Sequence, residues 1–222
     1  RSTLFPYTTL FRSLDKKRGD AQCQDAQLHP SEIVHIACDK TDNETIYVTD
    51  VGQHQMWAAQ YLKYKKTQKF ITSGGLGTMG FGYGAAIGAQ IGCPDRRVIH
   101  FTGDGSFHMN MNEACTAVSE GLPIITIIMD NKVLGMVYQW QNAFYGRRFS
   151  STTPARKTDF VKVAEGFGAK GFRVSTPEEF ENAFDEALKL KGPSWIACDI
   201  AVEERVLPMI PGGGTIEDMI IG

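Results

Sequence analysis

Two oxygen-bearing side chains set the chemistry within reach of this sequence. Asp104 stands between Gly103 and Gly105, directly after an apolar run. Asn131 follows 27 residues later, just past the next run, Ile124–Met129. A carboxylate and an amide oxygen, with a backbone carbonyl beside them, supply part of a magnesium shell. Magnesium takes about six oxygens at roughly 2.0–2.1 Å and leaves places for water and phosphate. Gly103 and Gly105 let the backbone turn sharply and come close to a diphosphate. The amides of Gly105 and Ser106, and of the helix start at Gly135-Met136, can donate to it. Alone, GDG is a turn after a strand. The asparagine at this spacing, after a second strand, makes it a candidate metal–diphosphate site.

The elements that must position these groups follow from the apolar pattern. Strands are expected at Thr45–Thr49, Phe70–Thr72, Val98–Thr102, Ile124–Met129, Gly171–Val174 and Trp195–Ile200. Helices are expected from about His29, then over Met56–Tyr64, Phe81–Ile91, Asn112–Ser119, Gly135–Phe144, Thr158–Phe167 and Thr176–Leu190. Thr176-Pro177-Glu178-Glu179 is a capping box with proline at the first helical position. Alternation of this kind predicts an α/β fold, a six-stranded mainly parallel sheet with helices on both faces. Ligands of such sheets bind beyond the carboxyl ends of the strands.

Four strand ends carry groups suited to that edge: Gly52-Gln53-His54-Gln55, Ser73 to Gly80, Gly103 to Ser106, and Asp130 to Met136. Gln53 and His54 read there as diphosphate contacts, although an isolated histidine is ordinarily a surface residue. Gly75 to Gly80 also matches GxGxxG, so a dinucleotide fold is a rival. That fingerprint needs an acid at the end of the next strand. Asp95, 20 residues on from Gly75, precedes the strand and lies at the wrong edge, and Asp104 sits in a phosphate-loop setting. Met136 and Trp140 lie four apart on one helical face, which suits either core packing or a substrate pocket. Glu203-Glu204-Arg205 reads as a solvated turn.

The chain has 222 residues, 42% hydrophobic and 22% charged, with net charge −2. These are globular values. They give no basic field for nucleic acid and no apolar run of membrane-spanning length. Five scattered cysteines without CxxC spacing suit a reduced, cytoplasmic protein. Residues 1–13, RSTLFPYTTLFRS, resemble the in-frame translation of a sequencing adapter and are set aside. Residues 14–28 are expected as linker and 29–222 as one domain.

GDGSF with the asparagine turn NKVLGMVYQWQ resembles the thiamine-diphosphate motif, and GQHQMWAAQ, ITSGGLGTMGFGYGAAIGAQ and VLPMIPGGG resemble acetolactate synthase catalytic subunits. The resemblance runs from about Leu28 to Gly222. It implies thiamine diphosphate and Mg2+ as cofactors, with Asp104, Asn131 and the Val133 carbonyl as metal ligands. Gln53, His54, Gly105, Ser106, Gly135 and Met136 would contact the diphosphate. Gly77 and Met79 would hold the aminopyrimidine, Met79 propping the cofactor into a bend that brings its 4′-amino group to the thiazolium C2 proton. Trp140 would help select the second 2-oxo acid. The family reaction condenses two pyruvates to 2-acetolactate and CO2, in branched-chain amino-acid synthesis. It also implies an N-terminal pyrimidine-binding domain carrying the catalytic glutamate, a middle FAD-binding domain, a homodimer or tetramer, and a regulatory small subunit. Other thiamine enzymes, such as 2-oxo acid decarboxylases or pyruvate oxidase, and a non-catalytic cofactor-binding fragment are the alternatives. Asp130 stands where the family usually has asparagine, and adds negative charge near the metal.

Overall fold

The computed structural model describes residues 27–63 and 69–221. The adapter-like segment and nearly all of the expected linker lie outside them. At Leu28 the linker has already ended. Its side chain is fully buried, and its amide donates to the Ser175 carbonyl at 3.0 Å.

The six strands are β1 (Ile46–Thr49), β2 (Phe70–Ile71), β3 (Val98–Gly103), β4 (Ile125–Asp130), β5 (Lys170–Val174) and β6 (Ser194–Asp199). They form one sheet in the order β2-β1-β3-β4-β6-β5. Each of its five neighbour pairs is parallel. The central strands are buried along their whole length. That is why Val98–Gly103 and Ile125–Asp130 read as continuous runs rather than as alternation. The chain leaves β1 towards β2 on one side and returns to β3 on the other, so the winding reverses between β1 and β3. A crevice opens at such a switch point.

The helices are α1 (Pro30–Asp39), α2 (Gln53–Tyr61), α3 (Phe81–Gly92), α4 (Asp104–Phe107), α5 (Ala114–Ser119), α6 (Gly135–Phe144), α7 (Phe160–Phe167) and α8 (Pro177–Ala187). They fall into two layers. Helix α1 touches α2 and α8, while α5 touches α7. Under the second layer, strand residues Ile46, Val48, Val98, Ile128, Trp195 and Ala197, with Ile124 just before β4, meet Tyr83, Ala86, Phe107, Ala117, Phe160 and Ala164. Trp195 Nε1 donates to the Tyr83 hydroxyl at 3.1 Å, and the Phe107 and Trp195 rings meet edge to face at 4.7 Å. Aromatic pairs of this kind add about 0.5–1.5 kcal/mol beyond the area they bury. They pin α3 and α4 to the sheet beneath the strand ends. The predicted capping box of α8 forms as expected, Thr176 accepting from the Glu179 amide at 3.2 Å.

Three departures from expectation bear on the site. Helix α2 begins at Gln53 rather than Met56 and ends at Tyr61, so Gln53 and His54 occupy its first turn. No Ser, Thr, Asp or Asn marks that start; Gly52, with φ 152°, provides the entry. GDGSF, expected as a loop, closes into the single turn α4. The crossover expected at Asn112–Ser119 is a 3-10 turn, Met111–Glu113, followed by α5. From Arg205 the chain belongs to a separate unit. There Met209 and Ile220 pair as an antiparallel bridge, and Thr215 caps a short 3-10 turn, Ile216–Asp218.

Candidate metal–diphosphate site

Strands β1, β3 and β4 end side by side and release α2, α4 and the Asp130–Leu134 turn at one edge. Between them lies a cleft of about 90 Å³. Among the sequence-predicted residues, Gln53, His54, Met79, Asp104, Gly105, Ser106, Asn131, Val133, Gly135 and Met136 line it. Gly77 and Trp140 do not. The cleft is well below the about 300–1,000 Å³ of a pocket for a whole small molecule. It suits an ionic head group.

Asp104 opens α4 with its carboxylate 4% exposed. Burial first, then the neighbouring Asp130, push it up to about 6, against the pull of the Arg156 guanidinium. Lys132 pairs with Asp130 and stands 3.5 Å from Asp199. It holds a left-handed φ of 63°, which turns the chain between Asn131 and Val133. Asn131 Oδ1 accepts from the Val133 amide at 3.2 Å, an Asx turn that fixes the amide plane.

Gln53 departs from its expected role. Its Nε2 donates to Gln139 Oε1 and to the Glu204 carbonyl, both at 2.9 Å, and its Oε1 accepts from Asn131 Nδ2 at 3.2 Å. Both donors are engaged within the protein, so Gln53 orients Asn131 and has no free hydrogen for a diphosphate. Glu204 is likewise no solvated turn. Its carboxylate meets His29 Nδ1 at 2.5 Å, and its side chain is only 20% exposed. Gly135 is required by proximity, since a Cβ there would fall on Gln53 Oε1 and 2.7 Å from Asn131 Nδ2.

His54 stands in the cleft lining. It packs over two glycines, and a Cβ on Gly52 or Gly103 would come within 2.9 Å and 2.8 Å of its ring. Burial pushes it down to about 4, so the ring is neutral. Its Nε2 is buried and has no partner among the described residues. An orphaned polar atom of this kind costs free energy unless a ligand completes it.

Ser106 has its hydroxyl engaged within the protein. The hydroxyl donates to Asp50 Oδ1 at 2.5 Å. Asp50, which sequence inspection passed over, also accepts from the amides of Val51 and Gly80, each at 2.8 Å. One buried carboxylate oxygen thereby joins α4 to the Gly77–Gly80 turn. Its place at the end of β1, one residue before Val51-Gly52, was the available signal. Arg156 was also missed; its Nη2 donates to Asp104 Oδ2 at 3.1 Å. A lone arginine in a polar loop gives no signal.

Helix α6 starts in the cleft without a side-chain cap. The amides of Gly135 and Met136 stand in its first turn, which is the arrangement that receives anions. Its sole buried residue is Gln139. Trp140 is therefore no core residue. It meets the Phe144 ring at 5.2 Å and, with Met136 and Val137, lines an open cavity of about 960 Å³ that shares those two residues with the cleft.

The donors fit magnesium and a diphosphate together. Among the described residues no three of His, Cys, Asp and Glu gather as a metal set. One carboxylate, one amide and a carbonyl leave places that phosphate and water fill well. The orphaned His54 and the uncapped α6 supply donors for the anion.

Over residues 50–198 the chain matches the family described as thiamine pyrophosphate enzyme, C-terminal TPP binding domain. It is 44% identical over 191 residues to a probable acetolactate synthase large subunit of Methanococcus aeolicus, covering 85% of this chain and 32% of that protein. The acetolactate synthase isozyme 2 large subunit of Escherichia coli (strain K12) is 39% identical over 198 residues, 86% of this chain and 36% of that one. A solved structure, the Rhodococcus jostii RHA1 thiamine diphosphate-dependent 4-hydroxybenzoylformate decarboxylase, superposes with TM-score 0.73 at 27% identity, over 82% of this chain and 34% of that chain. The chain spans about a third of the length of these proteins. Because the family match runs through the strand ends that carry His54, Asp104 and Asn131, the chain belongs to the thiamine pyrophosphate enzymes, as a C-terminal TPP binding domain.

Proposed function

We propose that this chain is the diphosphate- and magnesium-binding part of an acetolactate synthase, which condenses pyruvate with a second 2-oxo acid. The observation that carries it is the meeting of Asp104, the Asn131 turn, the orphaned Nε2 of His54 and the open start of α6 in one cleft. The names of the relatives at 39–45% identity support the reaction. Bound thiamine diphosphate supplies the carbon nucleophile of such reactions. Asp104, Asn131 and the Val133 carbonyl would hold Mg2+. His54 and the amides of Gly105, Ser106, Gly135 and Met136 would hold the diphosphate, and Met79 would support the ring portion. Trp140 and Met136, facing the open cavity, would form one wall of the substrate pocket. FAD, subunit association, a regulatory subunit and a cytoplasmic location belong to the same proposal.

Among the described residues, Asp104 is the single carboxyl group in the cleft lining. It is committed to the metal and Arg156, so no acid remains here to exchange a proton with the pyrimidine ring. The chain alone is therefore expected to bind the cofactor and to make no acetolactate. Calorimetry should show thiamine diphosphate binding that needs Mg2+ and that Asp104→Ala removes; unchanged binding in that variant refutes the site. Adding the upstream domains should yield acetolactate. An aldehyde product instead would favour a decarboxylase, the activity named for the solved relative.

A further inference from the structure

Arg156 reaches Asp104, a residue of the cleft lining, from a loop that no motif singles out. Its Nη2 donates to Asp104 Oδ2 at 3.1 Å, and its side chain is 26% exposed. Its Nε is buried and has no partner among the described residues. Nη2 also lies 3.5 Å from the place a Cβ on Gly105 would take, so the guanidinium stands over the turn that would face a diphosphate. Lys132 pairs with Asp130 and Arg156 with Asp104, so the carboxylate offered to a metal already carries a cationic partner. A guanidinium cannot shed its proton to make room for a metal. A lone dication thus meets a carboxylate whose charge is spent, while an arriving diphosphate meets an uncommitted N–H.

We propose that Arg156 makes the divalent cation and the diphosphate bind as a pair. It opposes the metal alone and, once the diphosphate is present, donates to its oxygens while still orienting Asp104. This deepens the assignment of the cleft as a metal–diphosphate site and rests on it. A merely structural ion pair would predict something different. Its loss would weaken every ligand together, through the fold, whereas an electrostatic coupler shifts metal and anion in opposite directions.

The test uses the whole 222-residue chain. Mn2+ alone is titrated by the electron paramagnetic resonance signal of the free ion. Inorganic pyrophosphate with Mn2+ is titrated by calorimetry, and melting is followed in parallel. Arg156→Gln should bind Mn2+ alone more tightly and Mn2+–pyrophosphate about tenfold or more weakly, the worth of one charge-assisted hydrogen bond. Arg156→Lys should keep the opposition to Mn2+ alone and recover only part of the pyrophosphate affinity, because it lacks the planar fork. The proposal falls if Arg156→Gln leaves both affinities unchanged, or weakens both equally with a lower melting temperature. Asp104→Ala serves as the control for the site. If it abolishes pyrophosphate binding while Arg156→Gln does nothing, only the coupling is wrong; if it too does nothing, the site itself is wrong.

Discussion

Gly135→Ala is the most demanding test of how this site is packed. One added methyl group would fall on Oε1 of Gln53, with Gln53 Cδ at 2.8 Å and Asn131 Nδ2 at 2.7 Å. Gln53 has nowhere to retreat at no cost, since its two donors are held by Gln139 and Glu204 at 2.9 Å each. Overpacking of this kind costs about 1–3 kcal/mol. Each buried donor or acceptor left unpaired adds about 1–3 kcal/mol. The two terms are alternatives more than a sum, because a side chain that swings away relieves the clash by breaking its bonds. Stability should therefore fall by about 2–3 kcal/mol. Magnesium-dependent binding of thiamine diphosphate should fall at least about tenfold, because the displaced group is the one that orients Asn131. Calorimetry and urea unfolding measure the two losses separately. Gln53→Ala removes the obstructing atoms, so the second substitution should cost much less in that background than in the wild type, a non-additivity expected of touching residues. Unchanged affinity and unchanged stability in Gly135→Ala, or strict additivity with Gln53→Ala, would refute the packing described for this corner.

Asp50→Ala leaves the Ser106 hydroxyl and the Val51 amide without their acceptor and the Gly80 amide with only the longer bond to Ser106 Oγ at 3.3 Å; urea unfolding should show a loss of about 2 kcal/mol or more, and Asp50→Asn, which keeps an acceptor oxygen, should lose less. Gly88→Ala should raise stability by about 0.5–1 kcal/mol, seen as a higher melting temperature, since the site is exposed, lies inside α3 and has no atom within 4 Å of the new Cβ. Burial pushes both His54 and His100 from 6.5 down to about 4. The unfolded chain therefore takes up these protons first as the pH falls. The stability contributed by these two rings is complete above about pH 6.5 and drains away towards pH 4, by an amount on the order of 1–3 kcal/mol for each ring. His100→Leu should flatten that acid limb in unfolding measured across the range, and a limb as steep as wild type would show that His100 is not the group responsible.

The sheet was legible because burial of the central strands leaves long apolar runs. Ile124–Met129 can be read as nothing shorter than a strand, and the strand ends then follow by register. What α2 does was harder to see. Its start carries Gln53 and His54, residues that do not cap, and a glycine that belongs as readily to a loop as to a helix entry. The metal pair was legible because Asp104 and Asn131 sit at equivalent places on adjacent strands. The role of Gln53 was not, because it depends on Gln139 and Glu204, which lie 86 and 151 residues away. The same holds for Asp50, whose partners come from α4 and the turn before α3. Periodicity could not decide between core and pocket for Trp140, since helix α6 places its aromatic face outward and buries a glutamine instead.

That inversion in α6 also shows how the labour of the site is divided. A helix that turns Val137 and Phe144 towards solvent, 49% and 42% exposed, leaves apolar surface uncovered beside a polar cleft. The exposed Leu76 and Phe81 flank the turn that would support the pyrimidine ring. Buried on the opposite side are the polar fixtures: Asp50 fastening one turn, Gln53 orienting another, and glycines cut away to let His54 and Gln53 approach. Rigidity is concentrated where an ion and a diphosphate need fixed donors, because such donors lose affinity when they must reorganise. The apolar half along α6 instead borders the open cavity lined by Met136, Val137, Trp140 and Phe144. A domain built this way sets fixed polar groups in a narrow cleft, while the apolar side chains of α6 face the neighbouring cavity.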